Sequence, residues 1–308
     1  MEAVSGTCAA PAGAWPVWAA AAGLAASCWL VPRLEALARG GGLTRENWRG
    51  GTVPTALGVA LPAAGAAGST LASLVAGTWP GAAAGLGLVT AAALFGLLDD
   101  LTDRGGRHGW ATHARGLLRG PWTGGTAKLV GISMAALAAG AFCTGAPGVP
   151  PGVLGWLAAA AAGLIGAGTA NLVNLADTRP GRALKIWYLA AIILGLAGPQ
   201  EASAWLFPWA AAALPLLARD LAEGAMLGDA GSNALGAALG LGLVLSAREP
   251  AHLLALAPAV AALQLLGDRR SLHAWIEGQP WLRALDGLGR PRPRQGTCCA
   301  RANRGATE

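Results

Sequence analysis

Charge is what this chain of 308 residues has least of: 12% of its residues are Asp, Glu, Lys or Arg, about half the share of an ordinary soluble domain. That scarcity excludes a water-facing surface over most of the molecule. Aromatics other than tryptophan are also scarce, with one Tyr and three Phe. Packing must therefore lean on Ala, Gly and Leu, and the 13 Trp are expected near helix ends as interfacial anchors. The five cysteines, Cys8, Cys28, Cys143, Cys298 and Cys299, show no paired metal-ligand spacing and imply no disulfide framework. No repeat of fixed period is present. No Lys or Arg precedes Trp15, so a cleaved signal peptide, which wants a basic start, is not expected and the first apolar span should be retained.

What is present is apolar. Hydrophobic residues make up 54% of the chain, and they fall into nine runs near bilayer length: Trp15 to Val31, Val53 to Trp79, Gly81 to Leu98, Thr126 to Thr144, Val153 to Leu175, Ala183 to Ala197, Ala202 to Ala218, Ser232 to Ala247 and Ala251 to Gly267. The expected fold is an all-α, polytopic membrane helix bundle of about nine transmembrane helices. Small-residue spacings such as Gly81-x-x-x-Gly85 should let its helices approach closely. Of the 22 Lys and Arg, only Arg248 falls on one side of this arrangement. The others follow the first, third, fifth, seventh and ninth runs, which makes that side cytoplasmic, the amino terminus external and the carboxyl terminus internal. The net charge of +6 is divided among those loops, so anionic headgroups explain it better than nucleic acid does. Residues 1–267 read as a transmembrane catalytic domain with a cytoplasmic-face active site, and 268–308 as a cytoplasmic tail whose Pro/Arg-rich last part is expected to be disordered.

Four polar constellations share the basic side, and together they suggest one site. Asp99, Asp100 and Asp103 close the third run. If the helix continues a turn beyond the apolar segment, spacings of three and four residues make Asp103 a neighbour of both other acids. Three carboxylates so close repel unless a cation intervenes, and hard oxygen ligands suit Mg2+. The bland alternative is a solvated helix end. Lys128, after Gly124-Gly125-Thr126, either snorkels to the interface or reaches a phosphate lying there. Asn171, Asn174 and Asp177 recur every three residues on one helix edge, as an interhelical hydrogen-bond set or as a ligand-facing edge. Arg179, Arg182 and Lys185 follow at a tight turn, as a diphosphate clamp or simply as inner-loop charge. Asp229 sits between Gly228 and Gly231 where the eighth run begins. Ser232 is expected to cap that helix, which leaves the acid without a structural explanation.

Asp99-Asp100-x-x-Asp103, then Lys128-Leu-x-Gly-Ile, then Asn171-x-x-Asn174-Leu-x-Asp177, then Met226-Leu-Gly-Asp229-x-Gly-Ser-Asn233 resembles the polyprenyl-phosphate N-acetylhexosamine-1-phosphate transferase family, which includes phospho-N-acetylmuramoyl-pentapeptide transferase. The resemblance covers roughly residues 45 to 245. An earlier stretch, Arg49-Gly-Gly-Thr52-Val-Pro54-Thr55-Ala-Leu-Gly58, is similar to the family's Gly-Thr-Pro-Thr-x-Gly-Gly loop. It implies a transferase of the inner (plasma) membrane that moves a sugar 1-phosphate from a UDP-sugar to polyprenyl phosphate and releases UMP, for cell-wall or surface-polysaccharide synthesis. It also implies Mg2+, with Mn2+ as an alternative, held by Asp229, Asn174 and Asp100. Asp99 and Asp100 would position or deprotonate the acceptor phosphate and Lys128 would counter charge. Asn171, Asn174 and Asp177 would line the nucleotide side, with Arg179, Arg182, Lys185, Thr52 and Arg49 as further binding residues. The expected partners are polyprenyl phosphate, a nucleotide sugar and the membrane, with a homodimer as an open alternative to the monomer.

Three features depart from the family pattern. Pro180 stands where the family's Asp-Gly-x-Asp-Gly has its second acid, one associated with nucleobase recognition. The late histidine-rich loop is missing, and its region offers only His273. No apolar span follows Gly267. Two other readings compete with transfer: a divergent, non-catalytic member that binds lipid phosphate or nucleotide sugar, and a transporter. Carriers, however, place such charges near the midplane, and here every motif acid lies at one end.

Overall fold

The computed structural model describes residues 15–76, 79–102, 123–144, 152–269 and 271–291. Among the described residues there are nine long helices: α1 (Trp15–Gly40), α2 (Ala60–Ala76), α3 (Trp79–Thr102), α4 (Gly124–Thr144), α5 (Val153–Ala176), α6 (Arg182–Ala197), α7 (Gln200–Leu221), α8 (Gly228–Ser246) and α9 (Pro250–Arg269). Two short helices follow, α10 (Leu272–Glu277) and α11 (Pro280–Gly287). The described chain is thus an all-α bundle, apart from a small antiparallel hairpin of β1 (Thr44–Glu46) and β2 (Thr52–Pro54), in which Thr44 faces Pro54 and Glu46 faces Thr52.

Among the described residues, six segments are long and apolar enough to cross a membrane: Pro16–Gly40, Leu57–Val75, Ala82–Thr102, Gly124–Thr144, Val153–Ala176 and Pro250–Gly267. Of the other three long helices, α6 has only 16 residues. The α7 helix carries Glu201, Arg219, Asp220 and two prolines. The α8 helix, of 19 residues, is buried on every side and built largely of Gly and Ala. A helix at the centre of a bundle meets protein rather than lipid, so it needs close approach more than it needs high hydropathy.

That approach is visible along α5 and α8. A Cβ on Gly236 would run into the Thr169 carbonyl and lie 2.5 Å from the Ala170 Cα, and one on Gly240 would lie 2.8 Å from the Gly166 Cα. The indoles of Trp187 and Trp205 donate to the α8 carbonyls of Leu235 and Ala238 at 2.7 and 2.8 Å. Trp187, Trp205 and Trp209 are therefore core residues, a departure from the expected interfacial role that Trp18 and Trp156 retain by their exposure. The second apolar run also differs from expectation at its start. Its first residues pair in β2, a 3-10 turn occupies Leu57–Val59, and only then does α2 begin.

Candidate functional site

The chain alternates direction from one long helix to the next, so the carboxyl ends of α1, α3, α5, α7 and α9 meet the amino ends of α4, α6 and α8. Asp99 and Asp100 lie in the last turn of α3. As neighbours one residue apart they point to different partners. Asp99 Oδ2 lies 2.5 Å from Lys128 Nζ at the start of α4, and the same ammonium bonds Asp229 in the first turn of α8. Lys128 thus joins two carboxylates from helices far apart in sequence. Asp103 lies outside the described residues.

Asp100 does something the sequence does not announce. Its Oδ1 accepts the Asp229 N–H at 3.1 Å and its Oδ2 the Ala230 N–H at 3.1 Å. These are first-turn N–H groups that have no partner within their own helix, and a carboxylate there also meets the positive end of the helix dipole. The α8 helix is capped from α3, and the expected capping role of Ser232 is overturned. Ser232 lies inside the helix, where its hydroxyl donates to Asn174 Oδ1 at 2.8 Å and to the Gly228 carbonyl at 3.1 Å. The tight entry requires Gly228, whose φ is +74° and whose missing Cβ would sit 2.7 Å from Asp100 Oδ2 and 2.8 Å from the Ala56 Cα. Arg45 Nη2 completes the junction by donating to the Asp100 carbonyl at 2.5 Å.

The stretch after β2 borders this site. Met226 N–H donates to the Pro54 carbonyl (2.8 Å), and the N–H groups of Leu57 and Gly58 donate to the carbonyls of Met226 and Leu227 (3.3 and 3.0 Å). Asn174 reaches α8 through Ser232, whereas Asn171 donates to Gln264 Oε1 on α9 at 3.2 Å and serves as an interhelical tie. Asp177 follows the end of α5, and among the described residues its carboxylate makes no hydrogen bond. Burial, with the negative charges of Asp220, Asp229 and Asp100 close by, pushes the Asp177 carboxyl well above its ordinary range.

The basic residues divide. Arg182, 1% exposed, makes a bidentate pair with Asp286 of α11 (2.8 Å to each oxygen) and donates to Thr178 Oγ1 (2.7 Å). Lys185 donates to the Asp286 carbonyl at 2.6 Å. Both are committed to the carboxyl-terminal segment. Burial raises the Asp286 carboxyl, but the hydrogen bonds and charge of Arg182, joined by Arg290, outweigh it and hold the acid below the usual carboxylate range. Arg179 lies over the Trp48 ring and 3.3 Å from His273 Nε2. Arg49 stacks over the same indole and pairs with Glu223 at 2.7 Å. Thr52 is exposed at the start of β2.

The structure therefore brings Asp99, Asp100, Lys128, Asn174 and Asp229 into one contact set, with Asp177 in electrostatic reach, and turns Asn171, Arg182 and Lys185 elsewhere. Sequence reasoning missed the Arg45 contact, the Asp220 carboxylate that accepts the Gly181 N–H at 2.7 Å, and Asp286. Asp220 carried a signal, as an acid closing an apolar run; Asp286, a lone acid beyond the last apolar run, carried none.

Among the described residues no three acidic, imidazole or thiol side chains are grouped to hold a metal ion. The donor chemistry nonetheless fits a divalent cation. Lys128 meets two carboxylates, Asp99 and Asp229, Asp100 lies against the Asp229 backbone, and burial, joined by the charges of Asp220, Asp229 and Asp100, pushes the Asp177 carboxyl up, so hard carboxylate oxygens are concentrated at this junction. Mg2+ needs only one or two protein carboxylates and takes its remaining ligands from water and phosphate. No protein-family model matches the chain, and no curated protein matches it.

Proposed function

We propose that the chain is a membrane phosphoglycosyl transferase of the polyprenyl-phosphate N-acetylhexosamine-1-phosphate transferase type, crossing the membrane nine times with its acidic site on the cytoplasmic face of the plasma membrane. The observation that carries the reading is the contact between Asp99, Lys128, Asp229 and Asp100, three motifs from α3, α4 and α8 that sequence order alone keeps far apart. In the reaction, an oxygen of polyprenyl phosphate bonds to the sugar-bearing phosphorus of a UDP-sugar. The bond from that phosphorus to the bridging oxygen breaks, and UMP leaves. Such a transfer asks the protein for alignment and charge neutralisation rather than for an unusual nucleophile.

The residues divide that work. Asp100 fixes where α8 begins and so where Asp229 stands. Lys128 holds Asp99 and Asp229 together against their mutual repulsion. Asn174, through Ser232, ties the nucleotide-side edge of α5 to α8. Asp229 with Asn174 would hold Mg2+, and Asp100 contributes through its remaining lone pairs; Mn2+ suits the same oxygens. When bound, the metal neutralises charge on the diphosphate. A lipid phosphate with a second pKa near roughly 6 is largely ionised at neutral pH, so Asp99 positions the acceptor more than it deprotonates it.

Purified full-length protein given undecaprenyl phosphate, Mg2+ and a panel of nucleotide sugars should release nucleotide with at least one donor, and Asp229→Asn should abolish that release while remaining folded. A second reading, a non-catalytic binder of lipid phosphate, draws on the occupation of Arg182 by Asp286. Polyprenyl phosphate binding without nucleotide release from any donor would favour it and end the transferase reading.

A further inference from the structure

The carboxyl-terminal pair α10–α11 is built inside out for a segment in water. Trp281, Leu285 and Leu288, at spacings of four and three, form one face of α11 and its end, and they are 62%, 56% and 68% exposed; Trp275 on α10 is 56% exposed. The acid Asp286 is on the buried side, held by Arg182, and Ile276 is buried with it. A water-facing amphipathic helix shows the opposite arrangement.

Three observations locate this face. Leu272 opens α10 only three residues after Arg269 ends α9, a tether of about 10 Å at full extension, so the pair cannot leave the level of the inner end of α9. Lys185 Nζ bonds the carbonyls of Asp286 and Leu285 (2.6 and 3.4 Å), which sets the last turn of α11 beside the first turn of α6. From that turn onward α6 presents Ile186, Leu189, Ile193 and Leu196 outward, all exposed. The apolar stripe of α11 therefore continues an outward aliphatic face of the bundle, and exposed Arg283 falls on the opposite side of the helix.

We propose that α11, with Trp275, is a membrane-surface foot: its Trp281–Leu285–Leu288 stripe lies in the headgroup region of the bilayer beside α6, and its partner is an anionic lipid surface. Tryptophan and leucine on one face with arginine on the other are the chemistry of an interfacial helix, which buries its apolar face roughly 5–10 Å below the surface. Asp286 faces away from lipid and pins the foot to Arg182.

The test uses the full chain with its native cysteines replaced by serine, reconstituted in vesicles of phosphatidylethanolamine and phosphatidylglycerol. A nitroxide on Leu285→Cys, with Leu288→Cys as the second site in case the first perturbs folding, is compared with one on Glu277→Cys. The expected result is severalfold lower collision with a water-soluble nickel chelate at 285 or 288 than at 277, together with higher oxygen accessibility. Equal nickel access at all sites would overturn the proposal in favour of a water-facing surface awaiting a soluble partner. Spin–spin broadening that disappears on dilution with unlabelled protein would overturn it in favour of a contact between two copies of the chain. Neither outcome depends on sugar-phosphate transfer.

Discussion

Asp100 and Asp229 are both acids at one junction, and their partners separate their roles. Asp100 spends both oxygens on the N–H groups that open α8, so Asp100→Ala should cost about 0.5–2 kcal/mol, the range of a lost helix cap. Amide hydrogen exchange at 229 and 230 should speed up, and unchanged exchange there would remove the capping role. Ser232→Ala loses the local bond to the Gly228 carbonyl and the interhelical bond to Asn174, the latter worth roughly 0.6 kcal/mol. Asp177 offers a test by pH. Its folded pKa is raised by burial and by the charges of Asp220, Asp229 and Asp100, so its stabilising share is complete below the unfolded value near 3.9 and is lost as pH rises through the folded value. Asp177→Asn carries no such penalty. Its advantage in melting temperature over the parent protein should grow from pH 4 to pH 8 while transfer declines; a parent protein more stable at pH 8 would contradict the sign. These side chains were legible in sequence as a group because their motifs fall on one side. Their individual bonds were not, since which acid caps and which meets Lys128 is decided by how α3 approaches α8.

At the scale of elements, the apolar runs foretold the helices to within a few residues. The exceptions are α1, which continues to Gly40, and the second run, which starts as strand and turn. Helix contacts rest on absent side chains. Gly236→Ala places a methyl against the α5 backbone and should destabilise by about 1–3 kcal/mol. Gly87→Ala in α3 meets nothing within 4 Å and should be neutral or stabilising by up to about 1 kcal/mol. Thermal unfolding of the two variants in one detergent compares a buried seam with an open face, and equal shifts would remove the close-approach argument. The junction of α6 with α11 is of another kind. Asp286→Ala leaves the buried Arg182 guanidinium without its carboxylate and should cost about 3–5 kcal/mol locally, seen as faster proteolysis of the carboxyl-terminal segment. Because Arg182 and Arg290 depress the Asp286 pKa, the pair is intact above the unfolded carboxylate value and weakens only as pH falls through the lower folded value. A segment that loosened already between pH 7 and 5 would point to a different anchor. Nothing in the sequence disclosed this pair, because a lone acid in the carboxyl-terminal segment looks solvated until α6 is seen beside it.

The whole molecule was the most legible level, for a physical reason: a bilayer imposes the same cost on every charge, so charges collect where the chain leaves it. Arg45, Arg49, Lys128, Arg179, Arg182, Arg219 and Arg290 all take part in contacts at the end of the bundle that holds Asp99, Asp100 and Asp229, and Arg248 stands near the other end, between α8 and α9. These contacts define that common end without a membrane around it; the positive-inside rule predicts which side it faces. A tag after Glu308 should accordingly be reached only from the cytoplasm, and a tag before Met1 only from outside. A single cysteine placed in the 145–151 connection, in a chain stripped of its native cysteines, should react with an impermeant thiol reagent in intact cells. A cysteine at Gly50, in the turn of the hairpin that borders the acidic site, should react only after the cells are opened. The two labels test the arrangement independently of either tag. If both reacted from outside, the segments between them would cross an even number of times in the wrong register, and the acidic site would face away from the cytoplasmic pool of nucleotide sugars it is proposed to use.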